Sequence, residues 1–397
     1  MTYVKMETTP SILIVAGEPS GDRHAAKLVE EMRKCDPDTH WDFFGAAGPL
    51  MRRVGVEPVI AADELSIVGV AEIGRALPMF LTAYRKIIDS AVARKPQVAI
   101  LVDFPEFNLK LAKSLKKRGF TVVYYISPQL WAWRRYRIRT IRRHVDLLLT
   151  ILPFEKDWYA RRGVGNVEYV GNPLAAEVHP NGGRSDFCER HGLDPARPVI
   201  ALLPGSRRKE FVRILPVLIG AAKLLYADDA SRQFVIPIAH ERHLPDVTKI
   251  IEVTGTKSTG MPDDLAVVVD ETYDALNAAD AAAVTSGTAT LETGIIGTPM
   301  VIVYATSGLN YVLLRPLISV EHYGLINLIA GRKVAKELIQ RELSPQSVAA
   351  ELSRLLDPDH NAAVRDELRA AGEKLGSGGA SRRAAEAILR LIKPDGR

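Results

Sequence analysis

Short apolar runs alternate with amphipathic segments along most of the chain, as in parallel α/β proteins. Ser11–Ala16, Val98–Val102 and Val199–Leu203 are continuous apolar runs of strand length, typical of strands that are buried on both faces. Between such runs, apolar residues recur at helical spacing, most clearly from Leu77 to Ala93. The pattern predicts an α/β fold of mostly parallel strands that are connected by helices.

The chain has 397 residues, more than one hydrophobic core usually organises, so two domains are expected. From Asn172 to Pro198 the sequence becomes polar and rich in Pro and Gly before a new apolar strand begins, which indicates a domain boundary. Amphipathic segments rich in Ala, Leu, Arg and Glu end the chain. We therefore predict a first domain at residues 1–173, a linker at 174–198, a second domain at 199–345, and C-terminal helices at 346–397 that pack back on the first domain.

The composition, 47% hydrophobic and 25% charged, is that of a soluble globular protein. Cys35 and Cys188 match no metal or redox spacing, so a reducing cytoplasm is the expected setting. The N-terminus lacks the features of a secretory signal, and no apolar run reaches about 18 residues, so no membrane span is predicted. The net charge of +5 still permits attraction to anionic lipid, nucleotide or nucleic acid.

The segment Ala281–Tyr304 predicts a strand, a tight turn, a short helix and a second strand. In the turn, Ser286, Gly287 and Thr288 place small residues and hydroxyls where the helix begins, so free N–H groups and the positive dipole end can bind a phosphate. Alternatively, the hydroxyls only cap the helix. Glu292 lies one turn into the helix, on the side of Thr288, and can accept hydrogen bonds from ribose hydroxyls. The segment is therefore a candidate nucleotide site.

A second loop suited to a diphosphate follows the predicted strand Val199–Leu203. Gly205, Ser206 and Arg207 stand ahead of a helical run, so N–H groups, a hydroxyl and a guanidinium can meet an anion there. The loop lacks the Gly-Lys-Ser/Thr of a P-loop and does not imply ATP hydrolysis. We assign Arg207 to stabilising a leaving diphosphate, with plain surface charge as the alternative.

Asn327 lies in an otherwise apolar stretch near the end of the second domain. Its amide can contact a nucleobase edge or a sugar, although a buried Asn more often satisfies backbone groups. We retain it as a candidate residue of the nucleotide site.

Acidic residues follow two predicted strands of the first domain. Glu18 comes just after Ser11–Ala16, and Asp103 directly follows Val98–Val102. Because parallel strands end at one sheet edge, where open α/β sheets bind ligands, the two carboxylates should converge. Asp103 is a candidate general base for an acceptor hydroxyl, since partial burial raises the pKa of a carboxyl toward neutrality. Helix capping is the alternative, and we favour it for Asp22.

Two features point to a lipid-facing surface. The segment Glu64–Phe80, which contains Ile67 and Val68, is unusually apolar. It is either a helix packed on the core or a rim that holds an acyl chain. We assign Ile67 and Val68 to acyl or membrane contact.

The second feature is Trp131 and Trp133 followed by a run of arginines that begins at Arg134 and Arg135. Such a cluster suits nucleic acid, an anionic membrane surface or a phosphorylated substrate, while a solvated helix face is the alternative. Nucleic acid is the weakest of these, because no reader motif accompanies the cluster and the charge excess is small. A membrane surface fits better, because indole tolerates the headgroup zone and arginine binds lipid phosphate.

Seven motifs, in order and over nearly the whole chain, resemble the lipid-A-disaccharide synthase family: GEPSGD, VDFPEFN, SPQLWAW, LPFEKDWY, LLPGSRRKE, SGTATLETGIIGTPMVIVY and NLIAGR. Each is weak alone, but the set is specific. The resemblance implies two Rossmann-like domains that face each other across a cleft, the GT-B type. It also implies an inverting glycosyltransferase without metal or cofactor. Such an enzyme joins UDP-2,3-diacylglucosamine to 2,3-diacylglucosamine 1-phosphate through a β-1,6 bond and releases UDP.

The resemblance also implies roles, motif by motif. The first domain would face the acceptor and the membrane, and the second would bind the UDP-sugar. Glu106 receives no catalytic role. The matching positions are Glu18 and Asp103 on the acceptor side, with Asp103 the candidate base; Arg207 and Asn327 among the essential polar residues; and Ser286, Gly287, Thr288 and Glu292 at the UDP site.

The expected partners are the two substrates, an anionic inner-membrane surface and, as one option, a second copy of the chain in a homodimer; nucleic acid is not expected. The resemblance places the protein in the cytoplasm of a Gram-negative bacterium, peripheral on the inner face of the inner membrane. Two other functions stay open. One is a UDP-N-acetylglucosamine 2-epimerase or another sugar-nucleotide enzyme of the same fold, and the other is a non-enzymatic nucleic-acid binder.

Overall fold

The computed structural model describes residues 9–62, 73–256, 264–306 and 321–393. The chain forms two compact units, one of residues up to Pro173 together with the segment from Gly378, the other of Leu174–Ser377. Each unit contains one parallel β-sheet with helices between successive strands. The predicted α/β fold class is therefore confirmed. No helix in these four ranges is both long and apolar enough to cross a bilayer.

The sheet of the first unit has seven described strands in the spatial order β3-β2-β1-β4-β5-β6-β7. Its central strands are buried along their whole length, because helices cover both faces of a doubly wound sheet. The strands are β1 Ser11–Ala16, β2 Asp42–Ala47, β3 Glu57–Ala61, β4 Val98–Val102, β5 Val122–Tyr125, β6 Leu147–Thr150 and β7 Val167–Tyr169.

The helices of the first unit bury one apolar stripe each. In α1, the residues Ala25, Leu28, Val29 and Met32 recur at helical spacing and are buried against the sheet. Proline at the start of α1 costs nothing, because that N–H has no partner within the helix. The helices are α1 Pro19–Cys35, α2 Pro49–Arg53, α3 Ile73–Arg94, α4 Pro105–Lys116, α5 Ile138–His144 and α6 Glu155–Ala160.

The sheet of the second unit has six described strands in the order β10-β9-β8-β11-β12-β13. Its last strand has only two apolar residues and lies at the sheet edge, so the apolar-run pattern does not predict it. The strands are β8 Val199–Leu203, β9 Gln233–Ile238, β10 Leu265–Val269, β11 Ala281–Thr285, β12 Met300–Tyr304 and β13 Lys336–Ile339. The helices of the second unit up to β13 are α7 Leu174–Glu177, α8 Arg184–Arg190, α9 Arg208–Asp228, α10 Leu244–Thr256, α11 Thr272–Ala278, α12 Ala289–Ile296 and α13 Leu325–Ala330.

Residues 174–198, predicted as a linker, are built into the second unit. The Asp274 carboxylate accepts hydrogen bonds from the N–H groups of Asn181 and Gly182 at 2.7 and 3.0 Å. The Arg184 guanidinium pairs with Asp280 at 2.9 Å. Polar composition marked this segment as a linker, but here the polar groups are bonded to the domain rather than to water alone.

The three C-terminal helices divide between the units, whereas the sequence pattern grouped them together. Helices α14 Pro345–Leu355 and α15 Pro358–Glu373 belong to the second unit. Helix α16 Ala380–Ile392 packs on α1 in the first unit, where Ala384, Ala385 and Ile388 join the core. Its end is fixed by Lys393, whose ammonium lies 2.6 Å from the Asp36 carboxylate.

Both sheets reverse their strand order beside the first strand of the unit. In the first unit this switch lies between β1 and β4, and in the second between β8 and β11. Loops at the carboxyl ends of such strands diverge and leave a crevice where open α/β sheets bind ligands. The candidate residues can therefore be compared with two defined positions, one in each unit.

Candidate functional site

The two acidic candidates of the first unit follow neighbouring strands. Ala16 of β1 pairs with Val102 of β4, so Glu18 and Asp103 leave the sheet at the same edge. Glu18 is exposed, and Asp103 is partly buried. The structure thus brings both carboxylates to the switch point of this sheet, as the sequence predicted for them.

Asp103 lies in a strained turn. Asp103 and Phe104 have φ angles of 48° and 50°, a left-handed conformation that non-glycine residues seldom adopt. The Asn108 amide donates to the Asp103 carbonyl at 2.8 Å, and the Tyr124 hydroxyl donates to the same carbonyl at 2.7 Å. A Cβ atom on Gly17 would lie 2.3 Å from the Phe104 ring, so glycine is required there. These contacts hold the turn in one conformation.

The surroundings of Asp103 disfavour its charged form. Burial and the nearby Glu18 carboxylate raise the pKa of Asp103 to about 6, while a hydrogen bond from the Phe104 N–H partly offsets them. A carboxyl group with that pKa is ionised at neutral pH and binds a proton more strongly than an ordinary aspartate. These are the properties of a general base.

Asp22 has a structural role. Its buried carboxylate accepts hydrogen bonds from the N–H groups of Leu50 and Met51 at 2.9 and 3.1 Å. Asp22 therefore caps α2 rather than its own helix. Gly48 precedes α2, and a Cβ atom there would lie within 2.6 Å of the carboxylate.

The predicted membrane contacts have different surroundings from one another. Trp131 is 5% exposed, and its indole N–H donates to the buried Glu155 carboxylate at 3.0 Å. Trp131 is therefore a core residue, and its assignment to membrane contact is corrected. Its indole N–H is satisfied by a buried carboxylate, so the ring does not lie at a surface that lipid headgroups could contact. Trp133 is 39% exposed, with the Arg134 guanidinium 4.2 Å from its ring centroid. Arg135 is exposed. Ile67 and Val68 lie outside the described residues.

In the second unit, two loops meet at the switch point. Leu203 of β8 pairs with Val284 of β11, so the loop with Ser206 and Arg207 and the turn with Ser286 leave the sheet side by side. The Arg207 side chain is 83% exposed and extends from the first residue before α9. Its guanidinium is accessible to an anion at this edge.

The N–H groups of the first loop are already bonded. The Glu210 carboxylate accepts from the Ser206 and Arg207 N–H groups at 2.8 and 3.1 Å. Gly205 has φ of 112°, and a Cβ atom there would collide with Glu210. The prediction that the N–H groups of this loop bind a diphosphate is therefore wrong for Ser206 and Arg207, because a carboxylate of the same loop occupies them.

The backbone N–H groups of the turn before α12 are less fully hydrogen-bonded than those of the loop before α9. The Ser286 N–H donates to the Val303 carbonyl at 2.9 Å, and its hydroxyl donates to the Tyr323 carbonyl at 2.8 Å. Gly287, with φ of 152°, and Thr288 are exposed. Within the described ranges, the N–H groups of Gly287, Thr288 and Ala289 have no acceptor, and the Thr288 side chain does not cap the helix. The positive end of α12 is thus open to an anion.

Glu292 lies in the first turn of α12, partly buried. Its carboxylate accepts a hydrogen bond from the Tyr273 hydroxyl at 3.3 Å. The side chain is thus partly accessible, and its contact with ribose stays a prediction.

Asn327 does not face a ligand. It is completely buried, and its Oδ1 accepts from the N–H groups of Val334 and Ala335, both at 2.9 Å. Its Nδ2 donates to the Ala335 carbonyl and to Glu337, at 2.8 and 2.9 Å. The predicted contact with a base or sugar is corrected, because the amide has no capacity left for a ligand.

Sequence reasoning missed three residues that support these loops. Asn108 and Tyr124 hold the Asp103 turn. The Glu337 carboxylate accepts from the Tyr323 and Gly324 N–H groups at 3.0 and 2.9 Å, next to the carbonyl that Ser286 contacts. Asn108 stands among apolar helix positions, a signal that could have identified it; Glu337 lies in an edge strand and carries no such signal.

No group of three or more His, Cys, Asp or Glu side chains among the described residues is arranged to hold a metal ion. The charged side chains at the two switch points include the carboxylates of Glu18 and Asp103 in the first unit, and the Arg207 guanidinium with the carboxylates of Glu210 and Glu292 in the second.

Several solved structures share this architecture. A UDP-N-acetylglucosamine 2-epimerase from Neisseria meningitidis, bound to UDP-GlcNAc, matches with a TM-score of 0.62 at 14% identity, over 96% of this chain and 100% of that chain. The calicheamicin glycosyltransferase CalG4 matches with a TM-score of 0.57 at 14% identity, over 98% and 100%. At these identities the likeness shows the fold alone, a two-domain α/β fold of the GT-B type.

Sequence similarity defines the family of this chain more narrowly than the fold does. The family model described as "Lipid-A-disaccharide synthetase" matches residues 12–390. The lipid-A-disaccharide synthase of Geobacter metallireducens is 41% identical over 390 residues, which cover 98% of this chain and 99% of that protein. The chain belongs to the lipid-A-disaccharide synthase family, whose members are glycosyltransferases of lipid A biosynthesis. The resemblance of its motifs is thereby confirmed, and its substrates fall in the classes of sugar nucleotides and lipid-linked sugar phosphates.

Proposed function

We propose that this chain transfers the 2,3-diacylglucosaminyl group of UDP-2,3-diacylglucosamine to the 6-hydroxyl of 2,3-diacylglucosamine 1-phosphate. The products are a β-1,6-linked disaccharide 1-phosphate and UDP. The observation that carries the proposal is the family match over residues 12–390. The geometry of the first switch point supports a role in deprotonating the acceptor hydroxyl, and that of the second supports a role in stabilising the leaving UDP.

The first unit supplies the base. The acceptor oxygen attacks the anomeric carbon while its proton passes to a carboxylate. We assign the proton to Asp103, because burial and Glu18 raise its pKa to about 6 and its turn is held by Asn108 and Tyr124. Glu18 acts on this step by raising the proton affinity of Asp103.

The second unit supports the departure of UDP. As the bond between the anomeric carbon and the diphosphate oxygen breaks, its electron pair moves to that oxygen and negative charge develops there. The Arg207 guanidinium and the open N–H groups of Gly287, Thr288 and Ala289 can stabilise this charge without a metal ion. We therefore propose that the reaction is metal-independent, and full activity in excess EDTA is the expected result.

The same proposal includes a location. Both substrates carry acyl chains, so we propose that the protein works at the cytoplasmic face of the inner membrane, bound peripherally to anionic lipid. The exposed Trp133 and Arg135 support this, because indole and guanidinium suit a headgroup layer. A homodimer stays a prediction of the sequence; light scattering of the purified protein tests it.

The deciding experiment measures disaccharide formation in detergent micelles with both diacylated substrates. The native protein should form the disaccharide, and Asp103→Ala and Arg207→Ala should each lose it. An exposed-site variant, Asp38→Asn, should keep it. A folded native protein that forms no disaccharide at any acyl length, yet epimerises UDP-N-acetylglucosamine, would contradict the proposal.

A further inference from the structure

Backbone strain in the first unit is concentrated near the candidate base. Among its described residues, the non-glycine positions with positive φ are Lys95, Asp103, Phe104, Ile126 and Arg134. Four of these five follow β4 or β5, and a β-branched residue such as Ile126 is especially disfavoured in this conformation. Such strain persists where surrounding contacts enforce it, and it clusters at functional sites. The Asp103 turn accounts for two of these residues, and the segment 126–137 contains the other two.

The segment 126–137 is fixed from the interior. The Trp131 indole donates to Glu155 at 3.0 Å, and the Tyr159 hydroxyl donates to the Pro128 carbonyl at 2.8 Å. The other oxygen of Glu155 accepts from the Leu152 N–H at 3.1 Å. The segment therefore has a defined position before any ligand arrives.

At its end, the segment presents two arginines to one carboxylate. Arg137 forms two hydrogen bonds with Glu106, at 2.9 and 2.7 Å, and Arg134 also bonds to Glu106. The Arg134 and Glu106 side chains are 35% and 56% exposed, and an ion pair between groups this exposed contributes little to stability. Stability alone therefore does not account for the strain at Arg134.

The charges and the position suit a phosphate monoester. Two guanidinium groups face one carboxylate, so the cluster is left with a net positive charge. Arginine forks bind phosphate oxygens in pairs, and a phosphate monoester carries about −1.5 to −2 charges. Glu106 is only three residues beyond Asp103, at the start of α4. The acceptor of the proposed reaction carries its reacting hydroxyl and its phosphate on one sugar ring.

We propose that Arg134 and Arg137 form the subsite for the phosphate monoester of the acceptor, with Glu106 as an exchangeable counter-ion. Glu106 holds the two guanidinium groups side by side until the phosphate binds to them. This inference rests on the proposed function, because it names the acceptor of that reaction. A lipid headgroup offers similar phosphate chemistry, and the experiments below separate the two sources.

The first experiment compares two acceptors in neutral detergent micelles, 2,3-diacylglucosamine 1-phosphate and the same amphiphile without its phosphate. In Arg134→Gln and Arg137→Gln, the KM for the phosphorylated acceptor should rise about 10-fold or more. The KM for the donor and the KM for the phosphate-free acceptor should stay unchanged. Glu106→Gln removes the competing carboxylate and should lower the KM for the phosphorylated acceptor. Arg143→Gln, an exposed change of equal charge in the same basic region, is the matched control.

The second experiment measures binding alone, so that it does not depend on transfer. Trp133, stacked by Arg134, provides a fluorescence signal for titration with each amphiphile. Both arginine variants should bind the phosphorylated amphiphile more weakly than the native protein does and the phosphate-free amphiphile equally well. This result supports the subsite even if no disaccharide forms. Equal dissociation constants for native and variant proteins would overturn it. So would variants that lose only their attachment to phosphatidylglycerol vesicles, because that result assigns the arginines to lipid headgroups.

Discussion

The substitution Asp103→Asn removes one charge at a position whose surroundings disfavour that charge. Asparagine keeps the shape of the side chain and an oxygen that can accept the Phe104 N–H. It also tolerates the left-handed backbone at φ 48° better than most residues. We expect the variant to be inactive and, at neutral pH, more stable than the native protein.

The magnitude follows from the pKa. The pKa of Asp103 rises from its ordinary 3.8 to about 6 in the folded protein, and each pKa unit corresponds to ~1.4 kcal/mol. Between these two values the folded state binds more protons than the unfolded state, so stability falls as pH rises from about 4 to 6 and is constant above. At pH 7.5 the ionised carboxylate lowers the free energy of unfolding by up to about 3 kcal/mol. The variant recovers this amount at pH 7.5 and none of it below pH 4.

Tryptophan fluorescence can follow the first unit by itself, because Trp41, Trp131, Trp133 and Trp158 all lie there. Urea unfolding of native and variant protein at pH 7.5 and pH 4.5 gives the stability difference at each pH. Transfer activity at pH 7.5 should fall by about 100-fold or more when the base is lost. Asp38→Asn makes the same chemical change at an exposed site of the same unit and should alter neither quantity.

Two results would refute this reasoning in different ways. An active Asp103→Asn variant would remove Asp103 as the base, whatever its stability. An inactive variant whose stability difference is the same at both pH values would keep the catalytic role but show that the charge of Asp103 is not disfavoured in the folded protein.

Three further predictions concern neighbouring residues. Glu18→Gln should move the acidic limb of the kcat/KM profile to lower pH, because loss of the Glu18 charge lowers the pKa of Asp103; an unmoved limb would contradict the coupling. Trp131→Phe should reduce stability by about 1–3 kcal/mol in urea unfolding, because it leaves the buried Glu155 with one donor fewer; vesicle binding should stay unchanged, whereas Trp133→Ala should weaken it. Thr288→Ala should leave stability within about 0.5 kcal/mol but weaken UDP binding in calorimetry; unchanged affinity would remove the Thr288 hydroxyl from the nucleotide site, because the variant keeps the backbone N–H group.

The apolar pattern predicted the central strands closely, for a physical reason. Ser11–Ala16, Val98–Val102 and Val199–Leu203 have the same bounds in the sequence analysis and in the structure. A strand that is covered on both faces needs an uninterrupted apolar run, and polar residues mark its ends. An edge strand such as Lys336–Ile339 has no such requirement, so its pattern is weak.

The placement of the acidic residues was also predictable, while the partners of the other polar groups were not. Glu18 and Asp103 follow parallel strands, and parallel strands end at one edge whichever helices surround them. Asn327 and Trp131 instead depend on which buried acceptor or donor the fold brings near them. Glu337 lies in a different element from Asn327, and Glu155 is distant in sequence from Trp131. No local pattern therefore predicts those contacts.

The position of Asp103 follows from the sequence order, whereas its basicity depends on its surroundings in the fold. Sequence order places a carboxylate at the end of β4, but an ordinary aspartate there would be a weak base at neutral pH. Burial and the Glu18 charge raise its pKa, while Gly17, Asn108 and Tyr124 maintain the turn. These four residues act on Asp103 from β5, from α4 and from the loop after β1. Loss of any one of the three contacts that maintain the turn should therefore change the pH dependence of transfer before it changes the fold, a result that kinetics at several pH values would detect.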